Sequence, residues 1–232
     1  MPDDARMAAV SHPSRAERLS SRIAEVVARL GAAGVLPVTT IDDASQVEDV
    51  CRALAAGGIG CIEIAFRTPE AGEALRRARS VDGFLVGAGT VLTVEQAWAA
   101  AEAGADFAVA PGLNEEVVVA CADAGLPLFP GVATPSEIDR ARRLGLTTLK
   151  VFPAGLLGGP EFLRAMSAPF RDVGFLPTGG VEEATLASYL AVPSVVACGG
   201  SWLVKRDLLK QGRFDEIERL AREAAAIASH RA

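Results

Sequence analysis

Short β-branched runs alternate along this chain with longer stretches of helical spacing. The runs at 35–40, 59–66, 84–87, 107–110, 126–129, 147–152, 174–177 and 194–197 are rich in apolar residues and lie close to Gly or Pro, as strands do. Between them, apolar residues recur three and four positions apart. Residues 16–30 place Leu19, Ile23, Val26, Val27 and Leu30 on one helical face, and 44–56, 94–103, 115–124 and 135–144 follow the same period. Ala56-Gly57, Ala103-Gly104 and Ala124-Gly125 close three of these stretches, where glycine ends a helix by taking the left-handed conformation without a Cβ penalty.

Eight strands with intervening helices and no break in composition predict an α/β protein built as a single parallel (β/α)8 TIM barrel with an extra N-terminal helix. An open doubly wound sheet is the structural alternative. Residues 1–14 form a polar tail, and 15–232 form the barrel domain. If the strands close, functional groups are expected at their C-terminal ends.

Composition narrows the partners. Half of the 232 residues are hydrophobic but only 5% are aromatic, so the core must be built from Ala, Val, Leu and Ile. A formal charge of −6 argues against a nucleic-acid or membrane partner, either of which needs a concentrated basic face. The clusters Arg76-Arg77-Arg79 and Arg140-Arg142-Arg143 fall on predicted helices as solvated faces. No apolar run reaches 18 residues, and the start of the chain, with Asp3, Asp4, Arg15, Glu17 and Arg18, has no signal-peptide core. A cytoplasmic protein is expected. Cys51, Cys61, Cys121 and Cys198 lack metal-site spacing and read as buried, reduced thiols. His12 and His230 lie near the two ends and the lone Tyr189 on a predicted helix, so a histidine triad or a His-bound zinc would have to recruit an end of the chain.

Against twenty arginines the chain has three lysines, and Lys150 is the only one before residue 205. It lies in the apolar run Thr147-Thr148-Leu149-Lys150-Val151-Phe152-Pro153. A guanidinium stays protonated in proteins, whereas an amine can shed its proton and attack a carbonyl. A lysine that snorkels to water accounts for the position equally well. On the second strand, a period of two puts Glu63 and Arg67 on one face with Cys61 and Ala65, either as a structural ion pair or as an acid-base group with a carboxylate clamp. Gly87-Ala88-Gly89-Thr90 and Ala110-Pro111-Gly112 are small-residue turns after strands three and four. Pro177-Thr178-Gly179-Gly180 and Cys198-Gly199-Gly200-Ser201-Trp202 follow the last two strands, where barrels of this kind hold phosphate on exposed backbone N–H groups.

Five motifs in order resemble the KDPG/KHG aldolases, the 2-keto-3-deoxy-6-phosphogluconate and 4-hydroxy-2-oxoglutarate aldolases. They are Gly-Ala-Gly-Thr-Val-Leu at 87–92, Pro-Gly-Leu at 111–113, Lys-Val-Phe-Pro-Ala at 150–154, Pro-Thr-Gly-Gly at 177–180 and Gly-Gly-Ser-Trp at 199–202, joined by Glu63 with Arg67-Thr68. The resemblance runs from about residue 20 to the C-terminus. It implies a class I, Schiff-base aldolase that needs no metal and no cofactor, usually a homotrimer, acting on a small keto acid. By motif, Lys150 would form the imine and Glu63 would be the general acid-base. Arg67 and Thr90 would hold the substrate carboxylate, Pro111, Phe152 and Thr178 would shape the pocket, and Gly179, Gly180, Gly200 and Ser201 would take the phosphate. Two positions depart from the family pattern: Gly155 stands where Phe-Pro-Ala-Glu is common, and Ala110 where Ser-Pro-Gly is frequent. Both lie beside the expected chemistry without touching it.

The residues taken alone leave rivals open. One is a phosphate-binding isomerase with Glu63 as base and Lys150 as clamp; another is a ligand-binding barrel without chemistry. A third keeps the aldolase and changes the substrate to an unphosphorylated keto acid such as 4-hydroxy-2-oxoglutarate, or to the epimeric 2-keto-3-deoxy-6-phosphogalactonate.

Overall fold

The computed structural model describes residues 13–230, so most of the expected tail at 1–14, and His12 with it, lies outside the described residues. Nine strands follow in order: β1 (Val35–Thr39), β2 (Cys61–Ala65), β3 (Leu85–Gly89), β4 (Phe107–Val109), β5 (Leu128–Phe129), β6 (Gly131–Val132), β7 (Thr148–Val151), β8 (Gly174–Pro177) and β9 (Cys198–Gly200). Six of them form a parallel sheet in the order β5-β4-β3-β2-β1-β9, and the other three a sheet in the order β6-β7-β8. The molecule is thus an α/β fold whose six-stranded parallel sheet forms a half-barrel. Parallel strands joined by helices are covered on both faces, so their sequences read as runs rather than alternations. Every residue of β2, β3 and β4 is buried.

Two strand expectations are corrected. The run at 126–129 was expected as one strand, but pairing covers Leu128–Phe129, stops at Pro130 and resumes at Gly131–Val132. Proline has no N–H for a ladder. Its carbonyl still accepts from the Lys150 backbone N–H at 2.9 Å. β5 therefore pairs with β4 while β6 pairs with β7, in register Gly131↔Lys150. The last strand is displaced from 194–197 to Cys198–Gly200, where Val35↔Cys198, Leu36↔Gly199 and Pro37↔Gly200 join it to β1. The β-branched run before it makes one isolated bridge, Phe175↔Val195, and a second bridge links Thr178 to Gly199. Propensity favours the bulky residues, yet close neighbours put the ladder on the small ones: a Cβ at Gly199 would overlap Thr178, and one at Gly200 would overlap the Trp202 ring.

The helices pack outside the strands. The first, Arg15–Ala33, opens on a capping box between Ser14 and Glu17 and closes on Gly34 at φ +67°. The arginine clusters end the helices Ala71–Arg79 and Pro135–Arg143 and are taken up in surface ion pairs, among them Arg77–Glu73 and Arg142–Asp172. Gly104 and Gly125 take the left-handed conformation expected of helix stops, but Gly57 does not. Its neighbour Gly58 does so, at φ +92°. Gly57 is small because a Cβ there would press on Ala221 and the Glu218 carbonyl of the helix Phe214–Ser229. No helix among the described residues is long and apolar enough to cross a membrane.

All four cysteines are buried, and none is in a disulfide. Burial pushes the Cys51, Cys61 and Cys121 thiols up to about 12 from an ordinary 9.0. At pH 8 these thiols should stay unlabelled by a disulfide reagent in the native protein and react within seconds once guanidinium unfolds it; rapid native labelling of all three would contradict the burial. Because the fold favours the neutral thiol, this contribution to stability is complete below about pH 9 and is lost as pH rises from there toward 12. A denaturation series across that interval should show the midpoint falling.

Candidate active site

Lys150 and Glu63 come from different sheets and meet in the interior. Lys150 lies on β7, Glu63 on β2, and Nζ stands 3.5 Å from Oε1. Both are deeply buried, with 5% and 1% of their surface exposed. Burying a charge is tolerable only when it is paired, and here each side chain partners the other. The register of β7 aims the lysine inward: its backbone N–H is bonded to Pro130, and it pairs with Gly131 on one side and Leu176 on the other. The Phe152 ring centroid is 5.4 Å from Nζ, so an aromatic face borders the amine. The second carboxylate oxygen of Glu63 is buried without a hydrogen-bond partner. An acceptor left in that condition is available to a substrate hydroxyl or a water.

Of the two readings of Glu63 and Arg67, the structural ion pair is not formed. The β2 ladder ends at Ala65, and the Arg67 N–H turns back to the Ala65 carbonyl at 2.8 Å, which stops the alternation that would have kept both side chains on one face. Arg67 is exposed on the loop at the C-terminal end of β2 and makes no ion pair among the described residues. Thr68 bonds the Ile41 carbonyl and ties that loop to the end of β1.

Gly87-Ala88-Gly89 is not a turn but the buried end of β3. Its glycines make room. A Cβ at Gly87 would overlap the Phe107 ring, and one at Gly89 would overlap the Glu63 carboxylate. Thr90 follows at φ +58°, the one non-glycine with positive φ among the described residues. A β-branched residue in that region is strained by about 1–3 kcal/mol and is held by its surroundings. In the loop after β4, Pro111 is half-buried and its carbonyl lies against Gly131, the residue paired with Lys150.

The expected anion-binding residues gather at the ends of β8 and β9. Gly179 and Gly180 both have φ +83° in the loop after β8, and Gly179 packs on the Phe152 ring. The second glycine pair is corrected: Gly199 and Gly200 belong to β9 itself, with Ser201 the first exposed residue beyond it. A cavity of about 950 Å³ opens here, and its wall includes Gly180, Glu182, Ser201, Trp202 and Lys205. Trp202 has a buried indole N–H with no acceptor. The two sequence departures adjoin this region differently. Gly155 donates its N–H to Gly179 at 2.8 Å and lies so close to Gly180 that a Cβ would stand 3.1 Å from its Cα. Ala110 is buried and bonds the Phe129 carbonyl.

Sequence reasoning missed Lys205. The signal was available, since a chain with three lysines makes each of them noteworthy. It also missed Thr39, a buried hydroxyl that donates to the Val204 carbonyl at 3.2 Å and anchors the segment after β9. Of the two histidines, His230 is exposed beyond the last helix, with its ring against the Ala226 carbonyl. No three His, Cys, Asp or Glu side chains gather to hold a metal ion among the described residues.

A buried amine against a carboxylate, with an exposed guanidinium beyond the end of β2 and a glycine-rich cavity beyond β8 and β9, is an arrangement suited to an anionic carbonyl substrate. Known proteins share the chain's sequence and fold. The model of the family "KDPG and KHG aldolase" matches residues 26–220. A 2-dehydro-3-deoxy-phosphogluconate aldolase from Treponema pallidum is 44% identical, covering 83% of this chain and 92% of the relative. The KHG/KDPG aldolase of Escherichia coli K12 is 43% identical, covering 82% and 90%. Among solved structures, the KDPG aldolase of Legionella pneumophila, with pyruvate captured at low pH as a covalent carbinolamine intermediate, superposes with a TM-score of 0.82 at 36% identity, covering 86% of this chain and 97% of that one. By sequence and by fold, this chain belongs to the KDPG and KHG aldolase family.

Proposed function

We propose that this protein is a class I aldolase that cleaves 2-keto-3-deoxy-6-phosphogluconate to pyruvate and glyceraldehyde 3-phosphate through an imine on Lys150. The observation that carries this is the buried Lys150–Glu63 pair at 3.5 Å, a nucleophile and an acid-base group within reach of each other in the interior. A relative trapped with pyruvate as a carbinolamine supports the same chemistry.

The free amine of Lys150, its proton passed to Glu63 or a water, adds to the C2 carbonyl and gives a carbinolamine. Loss of water leaves a protonated imine, an electron sink. Glu63, directly or through a water, takes the C4 hydroxyl proton. The C3–C4 bond breaks, its electron pair moves into the imine to form an enamine, and the aldehyde leaves. Protonation at C3 and hydrolysis release pyruvate and restore Lys150. Arg67 holds the carboxylate through its planar fork, with Thr90 beside it, and so fixes C2 near the amine. Phe152, Pro111 and Thr178 bound the pocket. Gly179, Gly180, Gly200 and Ser201 take the phosphate, whose binding energy acts far from the reacting centre.

The strands are read as one closed (β/α)8 barrel with an N-terminal helix, forming a single domain over 15–232. The bridge Thr178↔Gly199, which ties the end of β8 to β9, and the Pro130 carbonyl, which joins the end of β5 to Lys150 of β7, support that closure. A homotrimer in the cytoplasm is the expected setting, and four buried cysteines outside any disulfide fit a reducing compartment. Neither nucleic acid nor membrane is a partner in this reading.

A second substrate has one observation in its favour. Gly155 leaves the aldehyde side without the side chain common in the family, and the E. coli relative carries both substrate names, so cleavage of 4-hydroxy-2-oxoglutarate to pyruvate and glyoxylate is retained as an alternative.

Borohydride added with pyruvate should attach a pyruvate-derived mass to the peptide bearing Lys150, while Lys150→Met should give no adduct and lose turnover by several orders of magnitude. An unmodified Lys150 peptide in active enzyme would exclude the imine. Glu63→Gln should keep the adduct but lower kcat by about 10²–10⁴-fold, the usual worth of a positioned acid-base group. Measured side by side, kcat/KM should be higher for the phosphorylated keto acid than for 4-hydroxy-2-oxoglutarate, and a ratio near one would remove the phosphate role from the glycine turns.

A further inference from the structure

Most cationic side chains of this protein are spoken for. Among the described residues only Arg67, Arg171, Lys205 and Lys210 make neither an ion pair nor a side-chain hydrogen bond. Lys210 lies in the field of Asp42, whose carboxyl it helps to hold low after Arg206. Arg171 precedes β8, at the end of the strands away from the site. That leaves two unpaired cations beyond the C-terminal ends of the strands: Arg67 after β2 and Lys205 after β9.

We propose that Lys205 is a specificity-determining residue that holds the distal phosphoryl group of the substrate, as the counterpart of Arg67 at the carboxylate. This rests on the aldolase reading above and adds to it a residue outside its glycine and serine contacts. Lys205 forms part of the wall of the 950 Å³ cavity together with Gly180, Ser201 and Trp202. The remaining charges in that wall are carboxylates. Glu182 precedes its helix, with its backbone carbonyl accepting the Thr185 N–H and its own N–H donating to Thr185 Oγ1, and Glu183 lies in the first turn. Without Lys205, an incoming dianion would meet two negative charges and no positive one. Trp202 supplies an independent sign: its ring folds over Gly200, leaving a buried N–H donor without an acceptor in the same wall. A phosphoryl oxygen is an acceptor of the right kind. Lys205 precedes the helix Arg206–Lys210 and caps it with no side-chain bond, so its ammonium is not committed to the fold.

The test compares wild type, Lys205→Met and Lys205→Arg on 2-keto-3-deoxy-6-phosphogluconate and on 4-hydroxy-2-oxoglutarate. In Lys205→Met the ratio of the two kcat/KM values should fall about tenfold, mainly through KM of the phosphorylated substrate, the scale of one exposed charge-assisted contact. Lys205→Arg should restore most of it. The inhibition constant of inorganic phosphate should rise in parallel in Lys205→Met. A ratio and an inhibition constant within twofold of wild type would overturn the proposal, as would an equal loss on both substrates. Borohydride trapping of pyruvate on Lys150 in the same preparations separates the two levels. Failure of trapping in wild type strikes the aldolase reading, whereas intact trapping with an unchanged ratio strikes only Lys205.

Discussion

The buried pair Lys150–Glu63 sets the terms for the residues around it. It joins the six-stranded sheet to the three-stranded one across the interior, and neither residue has another charged partner there. Removing one member of such a pair costs about 3–5 kcal/mol, because the other is left charged and dry. The surrounding residues can be understood as conditions for this contact. Pro130 breaks one strand into two and sets β7 so that Lys150 points inward, while Gly89 gives up a side chain where the Glu63 carboxylate lies. Strain is accepted at the next residue, Thr90, in a conformation that β-branched residues avoid. Local rules of propensity are broken where the chemistry is, and are kept elsewhere.

Much of this was legible in the sequence. Alternation of short apolar runs with helical spacing marked the strands and helices, since each period reports which face a local segment must bury. The anomaly of a lysine in an arginine-rich chain pointed to Lys150. What could not be read depends on neighbours distant in sequence. Glu63 was paired with Arg67 because a strand period was carried two residues too far; the turn at Ala65 that ends it is a backbone event with no side-chain signature. The last strand was sought among Val195 and Val196, yet the ladder lies on Cys198–Gly200, because Thr178 and Trp202 leave no room for larger residues there. Gly87 and Gly89 looked like a ligand-binding turn and are instead spaces for Phe107 and Glu63.

Gly155 joins the chemistry to the cavity. The loop after β7 carries Phe152 against Lys150 at one end and Gly155 against Gly180 at the other, with Gly155 N–H bonded to the Gly179 carbonyl. Backbone thus meets backbone between the loops that follow β7 and β8. At 3.1 Å from the Gly180 Cα, even one methyl group at Gly155 would require the turn to shift by a few tenths of an ångström. The departure from the family pattern therefore acts on the position of the Gly179-Gly180 turn, which the proposed function assigns to the phosphate.

The division of labour between arginine and lysine follows from the same constraints. Arginine's planar fork suits fixed pairing with carboxylates, and the chain uses it so at Arg142–Asp172, Arg206–Asp42 and Arg219 with Glu216 and Glu223, all on the surface. Each of these carboxylate partners is committed to the fold, and the field at Asp42 and Asp172 lowers their affinity for protons chiefly through the arginine hydrogen bond. A lysine is the more useful cation where a proton must move or where a charge must stay unpaired until a ligand arrives, because a compact ammonium on a flexible stem is not tied to one partner geometry. Lys150 meets the first need and Lys205 the second. In the proposed function Arg67 also waits unpaired, and its planar fork suits a fixed, planar carboxylate.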